Sequence, residues 1–354
     1  MHLEDKNRVE WMNWLNILAC IMVIGIHCNL QFNNYEFSNK WFLSSILNAC
    51  YYWANGCFVM LSGANLIDYR ERYSTHVFVE KRCKRVVIPF IIWSVVAVVI
   101  RTIWGELRFD NGIMSSIKML VNMGINNGCM FGGVFWFFYM IIILYLTIPF
   151  FSMISKNNRK SIYGALIIFA FILNSFLPVV FSQYLGIPWN DDLTYPIMKG
   201  MVIYLLLGYW LKNYDLSKKA RVYLRIGGGI AWICLAFGTI FVCSRSNSFW
   251  GGFCGWSNWP AVLICANVFD IFKNSKNISI VKEKYAKYVN DISNCSLGVY
   301  CIHMIVINIF LRYLKISSES YSWMLMAPIG IYLISVVIVL LMKKIPVLGK
   351  ILFP

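Results

Sequence analysis

The sequence predicts an all-α fold, a polytopic membrane helical bundle of about ten transmembrane helices with both termini cytoplasmic. Its 354 residues are 59% hydrophobic and 14% charged, with a mean hydropathy of +0.62, whereas soluble domains average about 25% charged residues. Apolar runs long enough to cross a bilayer, about 20 residues of helix, follow one another along the whole chain. The predicted spans lie near 12–30, 42–67, 86–104, 134–154, 162–183, 196–211, 226–243, 257–272, 294–313 and 322–342.

The basic residues orient this bundle. Three quarters of the 32 lysines and arginines lie before the first span, in alternate loops or after the last span. Since Lys and Arg of short loops stay on the cytoplasmic side, both termini are predicted to be cytoplasmic, and the net charge of +16 does not indicate nucleic acid. The longest outward loop, about 105–133, is either a lid or a flexible connection. We expect one membrane domain over residues 1–354 without an appended soluble domain, because no linker or repeat interrupts the pattern.

Two of the polar residues in the first span are Asn16 and His27. They are separated by about three helical turns, so they share a face and lie about 16 Å apart along the axis. An ionisable side chain in a membrane span is costly unless it faces protein or water, and by default it marks a functional site. The alternative for His27 is a position at the lipid headgroups or a hydrogen bond to a carbonyl group.

The second span carries the sequence WANGCFVMLSGANL. The spacing predicts Asn55 and Ser62 on one helix face, and Gly56 and Gly63 on a neighbouring face. Glycines placed in this way allow two helices to approach closely. The alternative for this whole pattern is a packing seam without a chemical role.

A basic stretch, VEKRCKRVVIPF, precedes the third span. Arg82 and Arg85 are neighbours on a helix, and Lys81 and Lys84 lie beside them. Arginine binds phosphate oxygens bidentately, so the cluster suits a polyphosphate at the cytoplasmic surface. Contact with anionic lipid is the alternative.

Two later spans contribute further polar and aromatic residues. The fourth opens with GGVFWFFYM, which includes Trp136 and Tyr139 and is most simply explained as an interfacial aromatic belt. In the ninth, SLGVYCIHM places Ser296 and His303 on one face, with His303 near mid-membrane. Asp270, at the inner end of the eighth span, is expected to be a boundary residue.

Together these segments resemble the membrane-bound acyltransferase-3 family, bacterial inner-membrane proteins that O-acylate surface glycans and related acceptors. The matching segments occur in the family's order and span nearly the whole chain. They are the first-span run ending at His27, FVMLSGANL, KRCKRVVIPF, VFWFFYM, SLGVYCIHM and KKIPVLGKILF. The resemblance implies that acyl-coenzyme A binds from the cytoplasm, and that the acceptor, a glycan or lipid-linked sugar, lies at the outer leaflet of a bacterial plasma membrane.

Residue by residue, the resemblance implies that His27 is the essential histidine of the first helix and that Arg82 and Arg85 are the basic pair tied to activity. In the family, an arginine commonly precedes this histidine, with ten residues between the two. The chain departs from that pattern, because the corresponding residue here is Asn16. Other positions that recur in the same motifs are Ser62, Trp136 and His303.

The resulting hypothesis is transfer of an acyl group, most commonly acetyl in this family, from a thioester to a hydroxyl group. His27 would act as the general base, and amide or hydroxyl donors would stabilise the developing oxyanion. A covalent acyl-histidine relay stays open beside direct transfer. The predicted catalytic residues are His27, Ser62, Asn55 and His303; the predicted coenzyme-binding residues are Arg82, Arg85, Lys81 and Asn16; the predicted acceptor-binding residues are Trp136 and Tyr139.

Other classes of protein fit the same pattern. One is an exporter or transporter of a polysaccharide or lipid-linked sugar, since internal polar residues and many spans suit transport too. Another is a membrane sensor or scaffold without turnover. No metal is expected for any of these, because the twelve cysteines contain no CxxC pair.

Overall fold

The computed structural model describes residues 10–109, 112–275, 283–346 and 348–353. Throughout these ranges the regular elements are helices, and none of the described chain forms a β-strand, which confirms the predicted all-α class. π-helical turns continue α4 into α5, α8 into α9 and α11 into α12. The α-helices are α1 Glu10–Cys28, α2 Asn39–Tyr51, α3 Ala54–Leu66, α4 Thr75–Arg82, α5 Ile88–Ile103, α6 Ile113–Ile125, α7 Trp136–Ser152, α8 Lys156–Ala170, α9 Leu177–Val179, α10 Val202–Asn213, α11 Lys218–Ile233, α12 Thr239–Ser246, α13 Trp259–Asn274, α14 Glu283–Ser293, α15 Ser296–Tyr313, α16 Tyr321–Lys343 and α17 Leu348–Leu352.

Within the described residues, 7 helical stretches are long and apolar enough to cross a membrane, and each falls on a predicted span. They are Glu10–Cys28, Thr75–Ile103, Phe131–Ser152, Lys156–Tyr184, Lys218–Ser246, Ser296–Tyr313 and Tyr321–Lys343. The other predicted spans, 42–67, 196–211 and 257–272, contain shorter helices, the first of them broken between α2 and α3. The chain is therefore a multi-pass membrane protein, while the total of about ten spans and the side of the termini stay predictions.

The shorter helices lie in the interior of the bundle. Helix α10 is buried along almost its whole length, and α3 crosses it with backbone in contact with backbone. A Cβ atom on Gly63 would lie 1.8 Å from the carbonyl oxygen of Leu205, and one on Gly208 would lie 2.0 Å from that of Met60. Such an approach requires glycine at the crossing point, so the close helix approach predicted from the glycines of the second span is confirmed at Gly63.

The aromatic cluster at the start of α7 packs into the core. Phe135 and Phe138 are each 1% exposed, and their rings meet edge to face at 5.3 Å between centroids. Tyr300 of α15 packs on Phe138 at 5.3 Å. The interpretation as an interfacial belt is therefore wrong for Phe135 and Phe138, because α15 covers that face of α7.

The loop between α5 and α7 contains helix α6 and is attached to both neighbours. The Tyr139 hydroxyl donates to the carbonyl of Gly124, and Nη1 of Arg101 donates to that of Gly128 at 2.5 Å. These contacts favour an anchored segment over a merely flexible connection.

Asp270 is not a simple boundary residue. At the end of α13 its side chain is 2% exposed, and its Oδ2 lies 2.6 Å from Nη2 of Arg225 and 3.3 Å from Nε of Arg221. A carboxylate removed from water needs such partners. Asp270 therefore ties α13 to α11.

Candidate active site

A cavity of about 310 Å³ lies between α1, α3, α7, α15 and the basic segment that links α4 to α5. One end is basic and reaches solvent, since Arg72 and Arg85 line the cavity and are exposed. The other end includes the fully buried His303. The predicted site residues that line this cavity are Asn16, Asn55, Ser62, Arg82, Arg85 and His303.

Arg82 is the half-buried cation of the basic end. Its guanidinium lies 5.7 Å from the ring centroid of Phe78 and 5.8 Å from that of Tyr145. Its Nε is buried and has no hydrogen-bond partner in the described part of the chain. Arg72 is held nearby by a 2.7 Å hydrogen bond from Nη2 to the carbonyl of Asn65. The basic end therefore offers guanidinium donors to an anion.

Asn16 lines the cavity, but its amide N–H groups are engaged within the protein. Its Nδ2 lies 2.8 Å from the carbonyl oxygen of Ser293, 2.8 Å from Oγ of Ser293 and 2.7 Å from Oγ of Ser296. These bonds fasten α1 to the end of α14 and the start of α15. The predicted contact of Asn16 with the coenzyme stays a prediction, to which the structure adds a role in packing.

Helix α3 supplies neutral polar groups to the middle of the cavity. Asn55 and Ser62 both line it, as expected from their shared helix face. The Ser62 hydroxyl lies 3.4 Å from that of Tyr145. Because Gly63 holds α3 against α10 on a neighbouring face, the position of these polar groups depends on that crossing.

The tautomer of the His303 imidazole is fixed by a contact with the backbone. Its Nδ1 lies 2.6 Å from the carbonyl oxygen of Tyr300, which can only accept, so Nδ1 carries the ring proton. Its Nε2 is buried and has no hydrogen-bond partner among the described residues. Ser296, on the same helix face, lines the cavity as well.

His27 contacts His303 without lining the cavity. The two ring centroids are 5.2 Å apart, with the ring planes at 41°. The fold thus brings together imidazoles from α1 and α15, which are far apart in the sequence. Two histidines in contact beside a cavity can pass a proton or share the steps of a transfer reaction.

The remaining predicted site residues lie outside the cavity lining. Lys81 places Nζ 4.2 Å from the ring centroid of Tyr73. Trp136 stacks on Trp256 at 5.7 Å. The hydroxyl of Tyr139 is used to hold α6. Their roles in binding stay predictions.

Sequence reasoning missed several lining residues. Arg72 directly follows the 3₁₀ turn Ile67–Glu71, and in the sequence it was used only to predict the orientation of the chain in the membrane. Tyr300 belongs to the SLGVYCIHM segment, whose helical spacing could have included it, since it lies one turn before His303. Tyr145 lies inside an apolar run and gave no signal in the sequence.

Comparison with known proteins adds one finding. A protein-family model described as an acyltransferase domain matches residues 9–343, nearly the whole chain. Searches among curated proteins and solved structures return no match to this chain.

Proposed function

Since the chain belongs to the acyltransferase-3 family, we propose that it transfers an acetyl group from cytoplasmic acetyl-coenzyme A to a hydroxyl group of a cell-surface glycan or lipid-linked sugar. The coenzyme binds at the basic end of the cavity, and the acceptor reaches the histidines from the opposite end. The reaction takes place in a bacterial plasma membrane, with both termini of the chain in the cytoplasm.

The observation that carries this proposal is one cavity with arginines at its open end and an imidazole at its buried end. Acyl-coenzyme A has matching chemistry, a polyphosphate at one end and a thioester at the other. Arg82 fits the phosphates because it is half-buried against its aromatic neighbours and its Nε lacks a partner among the described residues. Charge-assisted bonds from a planar guanidinium to phosphate are short and strong.

We assign the chemical step to His27, Asn55 and Ser62. His27 takes the proton of the acceptor hydroxyl, since a neutral imidazole is a suitable base near neutral pH. Asn55 and Ser62 lie along the cavity, where an amide N–H and a hydroxyl can stabilise the oxyanion that develops on the thioester carbonyl. The lining also contains apolar side chains, among them Phe58 and Phe137.

Binding of acetyl-coenzyme A to the purified protein in detergent tests the donor half of the proposal. The variant R82A/R85A is expected to lose salt-sensitive binding, because two cations of the open end are removed. A matched control is K218A/K219A, which removes two exposed charges from the start of α11 without touching the cavity lining. The control is expected to bind like the wild type.

The acceptor half is tested by acetyl transfer to isolated cell-envelope glycans, measured for the wild type and for H27A. Loss of transfer at an unchanged protein level supports the proposal. Absence of both coenzyme binding and transfer in a folded wild-type preparation would refute it and return transport to consideration.

A further inference from the structure

The free Nε2 of His303 is a group that the proposed donor and acceptor steps have not yet used. It is buried and lacks a hydrogen-bond partner within the described residues, while Nδ1 is fixed as a donor to Tyr300. Leaving a buried acceptor without a partner costs free energy, and native structures do so rarely. Because His303 belongs to the cavity lining, this unpaired lone pair lies beside the space that a thioester would occupy.

The two histidines differ in their position relative to the cavity. His303 lines the cavity, whereas His27 lies against His303 and does not line it. Of the two histidines, His303 is therefore the one next to the space that a molecule entering from the arginine end would fill.

We infer that Nε2 of His303 is the nucleophile that takes the acyl group from the thioester, and that the acyl-histidine then delivers it to the hydroxyl activated by His27. The inference rests on the proposed function and divides it into two chemical steps. Both steps take place at Nε2, which receives the acyl group from the thioester in the first step and gives it to the hydroxyl in the second.

In the first step, the Nε2 lone pair attacks the thioester carbonyl carbon, a C–N bond forms, the C–S bond breaks and coenzyme A leaves as a thiolate. The His303 ring becomes an acylimidazolium that keeps its Nδ1 proton, and the carbonyl of Tyr300 already accepts that proton's hydrogen bond at 2.6 Å. This contact stabilises the positive charge of the intermediate, since hydrogen bonds from charged donors are stronger than neutral ones.

In the second step, the acceptor oxygen attacks the same carbonyl carbon while His27 takes the hydroxyl proton. The C–N bond breaks, an ester forms and His303 returns to its neutral form. The proton on His27 leaves to water, so the products are the ester, the coenzyme thiolate and one proton, and atoms and charge balance.

Isotope exchange tests this scheme without knowledge of the acceptor. An acyl-enzyme mechanism predicts that the wild type, given unlabelled acetyl-coenzyme A and labelled free coenzyme A, moves the label into acetyl-coenzyme A in the absence of acceptor. H303A is expected to lower the exchange rate by about 10³-fold or more, as for loss of a nucleophile. H27Q is expected to lose transfer to glycan and still to catalyse exchange, because His27 acts only in the second step.

Controls separate a chemical role from a structural one. Acetyl-coenzyme A binding and the melting temperature in detergent are measured for H303A, and added imidazole is expected to restore part of its exchange, because a small imidazole can occupy the space that the side chain vacates. Rescue by imidazole supports a chemical role, which a misfolded variant would not show.

The possible outcomes are distinct. Exchange by the wild type and by H27Q, lost in H303A and restored by imidazole, supports the inference. Transfer to glycan without exchange, or exchange that depends on His27 and not on His303, overturns it and leaves the proposed function standing. Coenzyme binding with neither exchange nor transfer overturns both.

Discussion

Gly63 is the position at which packing and the cavity are most directly linked, and G63A is expected to destabilise the protein and impair transfer together. The Cβ atom of alanine would lie 1.8 Å from the carbonyl oxygen of Leu205, 2.7 Å from its carbonyl carbon and 3.0 Å from its Cα. All of these atoms belong to the backbone, so no side-chain rotation relieves the clash.

The magnitude follows from the distance that must be gained. Carbon and oxygen atoms in ordinary contact lie about 3.3 Å apart, so α3 and α10 must separate by about 1.5 Å. Overpacking of a well-packed interior typically costs about 1–3 kcal/mol, and backbone against backbone places this case at or above the upper end. A displacement near 1 Å of Asn55 and Ser62 is expected to lower transfer by about 10²-fold.

The matched control is G229A on α11. A Cβ atom there meets no other atom within 4 Å, and alanine is the better helix former by about 1 kcal/mol. The melting temperature in detergent and the membrane protein level are measured for both variants. The prediction is a clear drop for G63A and no drop for G229A; equal melting temperatures would show that the crossing does not depend on glycine.

Further predictions concern single side chains. R159A is expected to lose about 3 kcal/mol of stability, because it removes the buried arginine that lies 2.5 Å from Asp68. The control K156A removes an exposed ion pair and is expected to leave stability unchanged. Melting curves of both variants in detergent check this prediction. N16A is expected to cost about 1–3 kcal/mol of stability by removing the hydrogen bonds that α1 makes with Ser293 at the end of α14 and with Ser296 at the start of α15, and an unchanged melting temperature would contradict that packing role. H27Q is expected to reduce transfer by about 10²–10⁴-fold at unchanged protein level, measured with isolated glycans.

The sequence was sufficient for the class of protein and for the faces of single helices. Long apolar runs have few stable solutions other than helices in a bilayer, and the seven long described helices fall on predicted spans. Helical periodicity placed Asn55 with Ser62 and Ser296 with His303, and each pair lines the same cavity. The motif order indicated the acyltransferase family, which the family model matches over residues 9–343.

Only the tertiary structure decided which of these faces meet. Periodicity gives the direction of a side chain around its own helix, but not the helix that lies opposite. The contact between His27 and His303, and the bonds of Asn16 to Ser293, therefore could not be read from spacing.

Burial was also undetermined by the sequence, for a reason particular to membranes. Lipid-facing and core-facing surfaces are both apolar, so hydropathy does not distinguish an aromatic residue at the membrane interface from one in the protein core. Phe138 belongs to the predicted interfacial belt by sequence, although it is 1% exposed in the structure. The same ambiguity hid the interior position of α10, whose apolar residues face protein because Gly208 admits α3 at backbone distance.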